Sequence, residues 1–434
     1  MANSISPARQ ISLDVLHRVF TQGAFASAAL RAEIKKTQGV SDQDKRLATD
    51  MVYGVLRLRN QLDKSIIKAA KLNRKKRIRR FKDLDPKLHD VLRLAAYQII
   101  FLDRVPDHAV VQEAVEQAKG RRGKPGASQT NGILRSLVDT PKEQQLAVAP
   151  ELEKDPIAHI SHAGSVSRAI AEIWIRDLGA EAARDLAIDC LQRAPLVLRA
   201  NAMINTRNEL LEKIEGSTGH HPLAIHLPAR TGQLPAELEC VREGQATVQD
   251  EASMHIIDLL DPQPEERILD VCAAPGGKTT AIAERMNDEG TVIAHDRTPE
   301  KLRNIENNAA RLKLKSIAIA PVLPDLSEAT FDRVLVDAPC SGLGTLRRHP
   351  EIRWRFRADD LTALTRTQTK VLQAGLDRLK PGGTLVYSVC TNTKAEAEEI
   401  LNKVEGFEIT ESIRYTPRDP GAPDAFFAAK LVKK

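Results

Sequence analysis

Residues 267–280 read RILDVCAAPGGKTT, an apolar run followed by small residues and a Gly-Gly-Lys-Thr segment. Such a run predicts a buried β-strand, and the small residues after it let the backbone approach a ligand closely. The turn differs from a phosphate-binding P-loop, because Cys272 stands where that pattern requires a glycine. It also lacks the three-glycine spacing of a dinucleotide-binding turn. Neither a nucleoside-triphosphatase loop nor a dinucleotide fingerprint therefore fits.

Further apolar runs follow this turn and alternate with segments of helical spacing. The predicted strands are 267–272, 291–296, 317–322, 333–337 and 383–389, and helices are predicted at 299–314 and 360–379. This alternation predicts a doubly wound, Rossmann-like α/β sheet that is covered by helices on both faces. Ligands of such sheets bind beyond the carboxyl ends of the strands, so the functional residues are expected there.

Asp296 ends the second predicted strand, 20 residues after Gly276. A carboxylate at this distance can accept hydrogen bonds from a ribose diol, which indicates a nucleoside-bearing cofactor. The alternative is that Asp296 only caps the helix that follows it.

Two cysteines follow neighbouring strand ends, Cys340 in the run Asp337-Ala338-Pro339-Cys340 and Cys390 after Val389. We expect both thiols to share one cleft. A single buried cysteine is usually a small apolar residue, but two at ligand-facing strand ends favour thiol chemistry. A thiolate can add to C6 of cytosine, so that C5 becomes able to attack an electrophilic methyl group. A carboxyl group near N3 would stabilise the charge that develops.

The first 140 residues differ in charge from the rest of the chain. They hold 27 Lys and Arg against 14 Asp and Glu, whereas residues 141–434 hold 37 against 44. Apolar residues at three- and four-residue spacing predict helices here, including one that starts after Pro106 with Asp107 as its N-cap. Basic clusters at 71–82 and 119–124, in predicted loops or helix ends, favour nucleic-acid phosphates as partners, with a basic loop without a ligand as the alternative. The loop after Cys340 carries four more arginines that could contact such phosphates, with solvated surface charge as the alternative: Arg347, Arg348, Arg353 and Arg355.

The overall composition is globular, with 42% apolar and 28% charged residues. The five cysteines include no CxxC pair, so we expect no structural metal and no disulfide framework. No signal-peptide core and no long apolar run is found, so we expect a cytoplasmic protein without a membrane span. We expect a helical domain at 1–140, a linker at 141–164, a small α/β subdomain at 165–245, with a helix near 168–191, and a catalytic domain at 246–434.

Three segments together resemble the RNA (cytosine-5) methyltransferases that use S-adenosyl-L-methionine. These are CAAPGGKTT at 272–280, DAPCSGLGTLRRHPEIRW at 337–354 and YSVCT at 387–391. The segments VYGVLR at 52–57, RVPDHA at 104–109 and NGILR at 131–135 resemble the NusB-type RNA-binding fold. The pairing is similar to the bacterial small-subunit ribosomal RNA methyltransferase B (RsmB or Sun) family. A non-catalytic RNA-binding module and an ATPase, the latter from the strand 334–337, are the alternative functions.

The resemblance implies a role for each matching residue. Cys390 would attack cytosine C6, Cys340 would assist proton removal and product release, and Asp337 would contact the base beside the cofactor. Lys278 would orient Asp337, and Asp296 would bind the ribose. The methionine part of S-adenosyl-L-methionine would lie on Cys272, Ala273, Ala274, Pro275, Gly276, Gly277 and Lys278. The implied partner is small-subunit (16S) ribosomal RNA, and the protein would be a monomer.

The sequence departs from the family at two places. The family carries an aspartate before the fourth strand for the adenine amine, and only Asp325 is available in that segment. The family also often has Pro-Glu-Glu-Asn after the nucleophile, whereas residues 391–397 read TNTKAEA here. We therefore expect the loop that supports Cys390 to differ.

Overall fold

The computed structural model describes residues 5–72, 78–228, 238–325, 331–417 and 421–434. The helices are α1 (Pro7–Gln22), α2 (Ala26–Lys36), α3 (Asp42–Leu72), α4 (His89–Phe101), α5 (Asp107–Val138), α6 (Lys142–Gln145), α7 (Pro156–Ala163), α8 (Arg168–Leu178), α9 (Ala180–Asp189), α10 (Arg207–Leu211), α11 (Glu239–Arg242), α12 (Glu251–Leu260), α13 (Gly277–Arg285), α14 (Pro299–Leu312), α15 (Ile352–Arg355), α16 (Ala358–Arg378) and α17 (Glu398–Leu401). The strands are β1 (Leu196–Ala200), β2 (Ser217–Thr218), β3 (Ala224–Leu227), β4 (Ala246–Val248), β5 (Arg267–Asp270), β6 (Thr291–His295), β7 (Ile317–Ala320), β8 (Phe331–Asp337), β9 (Leu379–Val389), β10 (Phe407–Tyr415) and β11 (Phe426–Lys433). Short 3-10 helices lie at Phe81–Asp83, Pro86–Leu88 and Leu343–Thr345.

The chain forms two compact units. We call Met1–Leu191 with Leu346–Phe356 the helical unit, and Gln192–Thr345 with Arg357–Lys434 the sheet unit. The all-helical first part and the α/β second part confirm the predicted fold class. The four-segment domain division stays a prediction. Residues 141–164, expected as a linker, include α6 and α7.

The helical unit packs α1 to α5 around one apolar core. In α3 the buried positions Met51, Val55, Leu62 and Ile66 recur along one side, as an amphipathic helix requires. Gly54 lies where α3 meets α4, and a Cβ atom there would lie 2.1 Å from the Tyr97 ring. Only glycine therefore allows this close approach.

Three expectations for the helical unit were wrong in detail. Helix α5 begins at Asp107 itself, because Pro106 occupies the N-cap position. The basic cluster 119–124 lies inside α5, which is kinked at Gly123 by a φ of 64°. The helix expected near 168–191 is two helices, because Gly179 adopts a φ of 84° that ends α8. The other basic cluster, 71–82, includes residues 73–77, which lie outside the described part of the chain.

Two of the arginines after Cys340 are buried, which corrects their expected role at RNA phosphates. Arg353 is fully buried in the helical unit, where its guanidinium donates to the carbonyl oxygens of Gly164 and Cys190. Burial lowers the pKa of Arg353 to about 10. Arg347 is also buried, at 2% exposure. Exposed Arg355 lies over the Phe25 ring at 4.6 Å. An arginine that is buried by hydrogen bonds to distant backbone carbonyl oxygens leaves no periodic pattern in the sequence.

The sheet unit contains two sheets. The larger has the order β10-β11-β9-β8-β5-β6-β7, in which β9, β8, β5, β6 and β7 are parallel to one another. Strand β11 pairs antiparallel with both β9 and β10. The smaller, antiparallel sheet has the order β2-β3-β1-β4. The third predicted strand ends at Ala320, two residues earlier than expected, and the last begins at Leu379, four residues earlier.

Apolar side chains cover both faces of the larger sheet, because successive buried apolar residues of the central strands point to opposite faces. Leu269, Val334 and Leu385 pack with α16 on one face. Their neighbours Ile268, Leu335 and Val386 pack with α12 and α13 on the other. The parallel strands therefore end at a common edge. There Asp270 lies opposite Leu335, and Asp337 lies opposite Ser388.

Candidate active site

The turn between β5 and α13 is built for close approach of a ligand. Gly276 has a φ of +102°, and a Cβ atom there would lie 3.1 Å from the Ile305 backbone. The amide of Ala273 donates to the His295 carbonyl oxygen of β6 over 2.8 Å, which ties the turn to the neighbouring strand. The predicted segment from Cys272 to Lys278 therefore forms one fixed turn at the sheet edge.

The two cysteines predicted to share a cleft lie in contact. The Sγ atoms of Cys340 and Cys390 are 3.1 Å apart, and both residues are partly exposed. Cys340 follows the end of β8, and Cys390 follows the end of β9. Because β8 and β9 are parallel neighbours, their ends bring residues 50 positions apart in the chain together.

Asp337 lies between the cofactor turn and the cysteines. Its Oδ2 accepts a hydrogen bond from Lys278 Nζ at 2.6 Å, and its Oδ1 accepts one from Ser388 Oγ at 2.7 Å. Burial disfavours the charged form of Lys278, but Asp337, together with Cys390 and Asp270, raises the pKa of Lys278. Lys278 is thus a firmly held cation beside both Asp337 and Cys390.

The surroundings of the two thiols differ in charge. The Sγ contact with Cys390, burial, and the negative charge of Cys390 and Glu396 together raise the pKa of Cys340 well above its ordinary value. Cys390, by contrast, lies near the Lys278 ammonium. A cation stabilises a thiolate, and a neighbouring carboxylate favours a protonated thiol. The two thiols therefore lie in surroundings of opposite charge.

Three carboxylates surround Cys272. Burial first, and then the charges of Asp270, Asp337 and Asp296, raise the pKa of the Cys272 thiol. Asp270 is buried at the end of β5, where its Oδ2 accepts from Thr279 Oγ1 at 2.7 Å. Its Oδ1 is buried without a hydrogen-bond partner in the described part of the protein. Burial, with the charge of Asp337, raises the pKa of Asp270 to about 7. Such a site suits a cationic ligand.

Asp296 lies where the sequence predicts it, just beyond β6 and 9% exposed. Its Oδ1 accepts from the amide of Thr298 at 3.1 Å, which forms a turn ahead of α14 and not a helix cap, because Thr298 is itself the N-cap residue. Lys301 Nζ lies 3.8 Å from the same oxygen. Asp325 is exposed beyond β7, next to residues 326–330, which are not described.

Sequence reasoning missed Glu396. Its side chain is fully buried and accepts hydrogen bonds from residues near both cysteines, among them Ser341 and Thr393. The available signal was a lone glutamate between alanines, six residues after Cys390. Ser388 was also missed as a partner of Asp337.

One group of potential metal ligands, His221, His255 and Asp258, lies together among the described residues. The amide of Leu223 donates to His221 Nδ1 at 3.1 Å, so the ring proton is on Nε2, which faces Asp258 at 2.9 Å. A protonated Nε2 cannot ligate a metal ion, and this group fits an ion pair or hydrogen bond instead. No helix in the described residues is both long and apolar enough to cross a membrane.

Comparison with known proteins identifies the family. Over 404 residues the chain is 33% identical to a probable ribosomal RNA small subunit methyltransferase B of Bacillus subtilis, covering 91% of this chain and 87% of that protein. The chain belongs to the RsmB family of methyltransferases. A ribosomal RNA small subunit methyltransferase B of Yersinia pseudotuberculosis is 32% identical and covers 98% of both chains. Family models described as "16S rRNA methyltransferase RsmB/F" and "NusB family" match residues 257–432 and 6–139.

Solved structures share the RsmB-family fold. The crystal structure of PH0851 matches 99% of both chains with a TM-score of 0.78 and 24% identity. The crystal structure of NSun6 from Pyrococcus horikoshii with SFG covers 62% of this chain and 98% of that one, with a TM-score of 0.54 and 21% identity. As a member of the RsmB family, the protein is an S-adenosyl-L-methionine-dependent methyltransferase. The glycine turn at Gly276 and the carboxylates around Cys272 fit this cationic cofactor.

Proposed function

We propose that the protein methylates C5 of a cytosine in 16S ribosomal RNA through a covalent bond between Cys390 Sγ and cytosine C6. The contact between the two thiols at adjacent strand ends carries this proposal. Two thiols within 3.1 Å, with the Asp337–Lys278 pair beside them, match a reaction that needs one thiolate, one proton acceptor and one carboxyl group. The relatives named as small-subunit methyltransferases support the choice of RNA.

The proposed reaction begins at Cys390. C5 of cytosine is a weak nucleophile, so the Cys390 thiolate forms an Sγ–C6 bond, and electron density moves through the ring to C5. Lys278 stabilises the thiolate before attack, and Asp337 contacts N3, where charge develops. Bound S-adenosyl-L-methionine supplies the electrophilic methyl group.

Cys340 completes the cycle in this proposal. After C5 has gained a methyl group, its remaining proton must leave, and the Sγ–C6 bond then breaks to release Cys390. Cys340 can accept this proton only as a thiolate, after its own proton has left to solvent, and its raised pKa makes that thiolate a strong base. Cys340 therefore suits the proton acceptor and Cys390 the nucleophile.

The cofactor would lie along the turn from Cys272 to Lys278, with its ribose at Asp296. The amides of this turn begin α13, so the positive end of the helix faces the ligand. Asp270 offers a buried oxygen without a partner among the described residues. A carboxylate in such a position favours a cation over a neutral group.

The helical unit would bind RNA through its basic side chains. Arg122 Nε donates to Asp85 Oδ2 at 2.5 Å, so the 119–124 cluster contacts the segment that follows the 71–82 cluster. Arg79, Arg80, Lys82 and Lys124 are exposed, and Arg121 is partly exposed. Clustered cations neutralise phosphates and release counterions, whatever the sequence of the RNA. The monomeric state stays a prediction.

A single substitution tests the proposed function. Cys390→Ala should abolish methyl transfer to 16S ribosomal RNA, because it removes the thiol that lies beside the Lys278 cation. Binding of S-adenosyl-L-methionine, measured by calorimetry, should stay within about two-fold of the wild type. Bisulfite sequencing of 16S ribosomal RNA would report the product. Normal turnover by Cys390→Ala would rule out the assignment of the nucleophile, and a methylated base other than cytosine would rule out the reaction.

A further inference from the structure

A buried carboxylate joins the two cysteine segments. Glu396 has no exposed surface, yet five donors contact its two oxygens. The amide of Ser341 donates to Oε1 at 2.7 Å, and the Ser341 hydroxyl donates to Oε2 at 2.6 Å. Ser341 follows Cys340 directly, so Glu396 fixes the turn that carries this thiol.

The same carboxylate also holds the segment after Cys390. The hydroxyl groups of Thr391 and Thr393 donate to Oε2 at 3.2 and 2.9 Å. Gln368 Nε2 of α16 donates to Oε1 at 3.1 Å and to the Pro339 carbonyl oxygen at 3.0 Å. Donors from three parts of the sheet unit therefore converge on one side chain, which costs free energy to bury unless all of its oxygens are satisfied.

Glu396 also places a negative charge beside Cys340. The charged and titratable groups around this thiol are Glu396, Asp337 of β8, Tyr387 of β9 and Cys390, which follows β9. Lys278 of α13, the nearby cation, lies next to Asp337 and Cys390. The Glu396 carboxylate therefore acts on Cys340, and the Lys278 ammonium acts on Cys390.

We propose that Glu396 is a positioning residue that holds the Cys340 and Cys390 segments in contact and places a negative charge beside the Cys340 thiol. Its effect on turnover rests on the proposed function, whereas its effect on Cys340 ionisation does not. The two effects can therefore be measured separately.

Glu396→Gln is the decisive variant because it removes the charge and keeps the shape. The glutamine oxygen can still accept from the Ser341 amide, and the threonine hydroxyls can rotate to accept from its NH₂ group. Glu396→Asp keeps the charge, and Ser341→Ala removes one hydroxyl donor without a change of charge. Glu398→Gln is the matched control, since Glu398 is half exposed and pairs with Arg414.

The first measurement is the pH dependence of Cys340 alkylation by iodoacetamide, followed by peptide mass spectrometry of the full-length protein without RNA. The midpoint should fall by about one pH unit in Glu396→Gln, because a like charge beside the thiol is removed. It should stay at the wild-type value in Glu396→Asp, Ser341→Ala and Glu398→Gln. An unchanged midpoint in Glu396→Gln, or an equal fall in Ser341→Ala, would overturn the proposal.

The second measurement is single-turnover methyl transfer to 16S ribosomal RNA. Glu396→Gln should lose on the order of 100-fold in rate, as expected for displaced reacting groups, with unchanged affinity for S-adenosyl-L-methionine. Ser341→Ala should lose on the order of 10-fold, by the same reasoning. A wild-type rate in both variants would contradict the positioning role. If the wild type itself left cytosine unmodified, the proposed function would fail, and the alkylation result would still decide the role of Glu396.

Discussion

Asp270 should make the sheet unit less stable as the pH rises. Burial and the charge of Asp337 raise the pKa of Asp270 to about 7 in the folded protein. An unfolded aspartate has a pKa of about 3.9, so the folded protein binds this proton more tightly. The stabilisation is complete below the unfolded pKa and is lost as the pH rises through 7. Three pKa units correspond to about 4 kcal/mol between pH 4 and pH 8.

Asp270→Asn removes this titration with little change of shape. The asparagine stays neutral at every pH and can still accept from Thr279 Oγ1, which lies 2.7 Å from Oδ2 in the wild type. The variant should match the wild type near pH 4. At pH 8 it should be more stable by up to about 4 kcal/mol, because the wild type then carries a buried charge.

The assay must report on the sheet unit alone. Both tryptophans, Trp174 and Trp354, lie in the helical unit, so their fluorescence is unsuitable. Hydrogen exchange of the β5 and β8 amides, read by mass spectrometry between pH 5 and pH 8, measures the opening free energy after correction for intrinsic exchange. An Asp270→Asn protein with the same pH slope as the wild type would refute the reasoning.

Two further predictions concern other parts of the molecule. Arg199→Met should destabilise the sheet unit by about 3–5 kcal/mol in urea unfolding, because it leaves the buried Glu284 carboxylate without its cation. The double variant Arg199→Met with Glu284→Gln should recover most of the lost stability. A double variant as unstable as Arg199→Met would contradict the pairing. Replacing Arg121, Arg122 and Lys124 by glutamine should reduce the slope of log affinity against log salt by about 2 in RNA-binding titrations, if each residue neutralises one phosphate. An unchanged slope would show that these residues make no phosphate contacts.

The sequence predicts those parts of the site that depend on strand order. Cys340 and Cys390 each follow an apolar run, and parallel neighbours bring their ends together, so the 3.1 Å contact could be anticipated. The same reasoning places Asp296 beyond β6. Helix existence was predicted from apolar spacing, while the break at Gly179 depends on a single positive φ that spacing does not reveal.

Burial of charged side chains could not be predicted. Arg353 resembles a surface arginine in sequence, but backbone carbonyl oxygens far away in the chain accept from two of its guanidinium nitrogens. Glu396 likewise resembles a solvent-facing residue of a charged helix, and three of its five donors, from Ser341 and Gln368, come from segments that the fold brings to it. Tertiary contacts decide both positions, and the flanking alanines are the local signal at Glu396.

The central claim is that Cys390 forms the bond to the RNA and Cys340 serves its release. Its most direct test is mass spectrometry of the Cys340→Ala protein after incubation with 16S ribosomal RNA and S-adenosyl-L-methionine, followed by digestion of both polymers. The account predicts a methylated cytidine nucleotide attached to the peptide that contains Cys390. A nucleotide on any other peptide, or full turnover without an adduct, would contradict it.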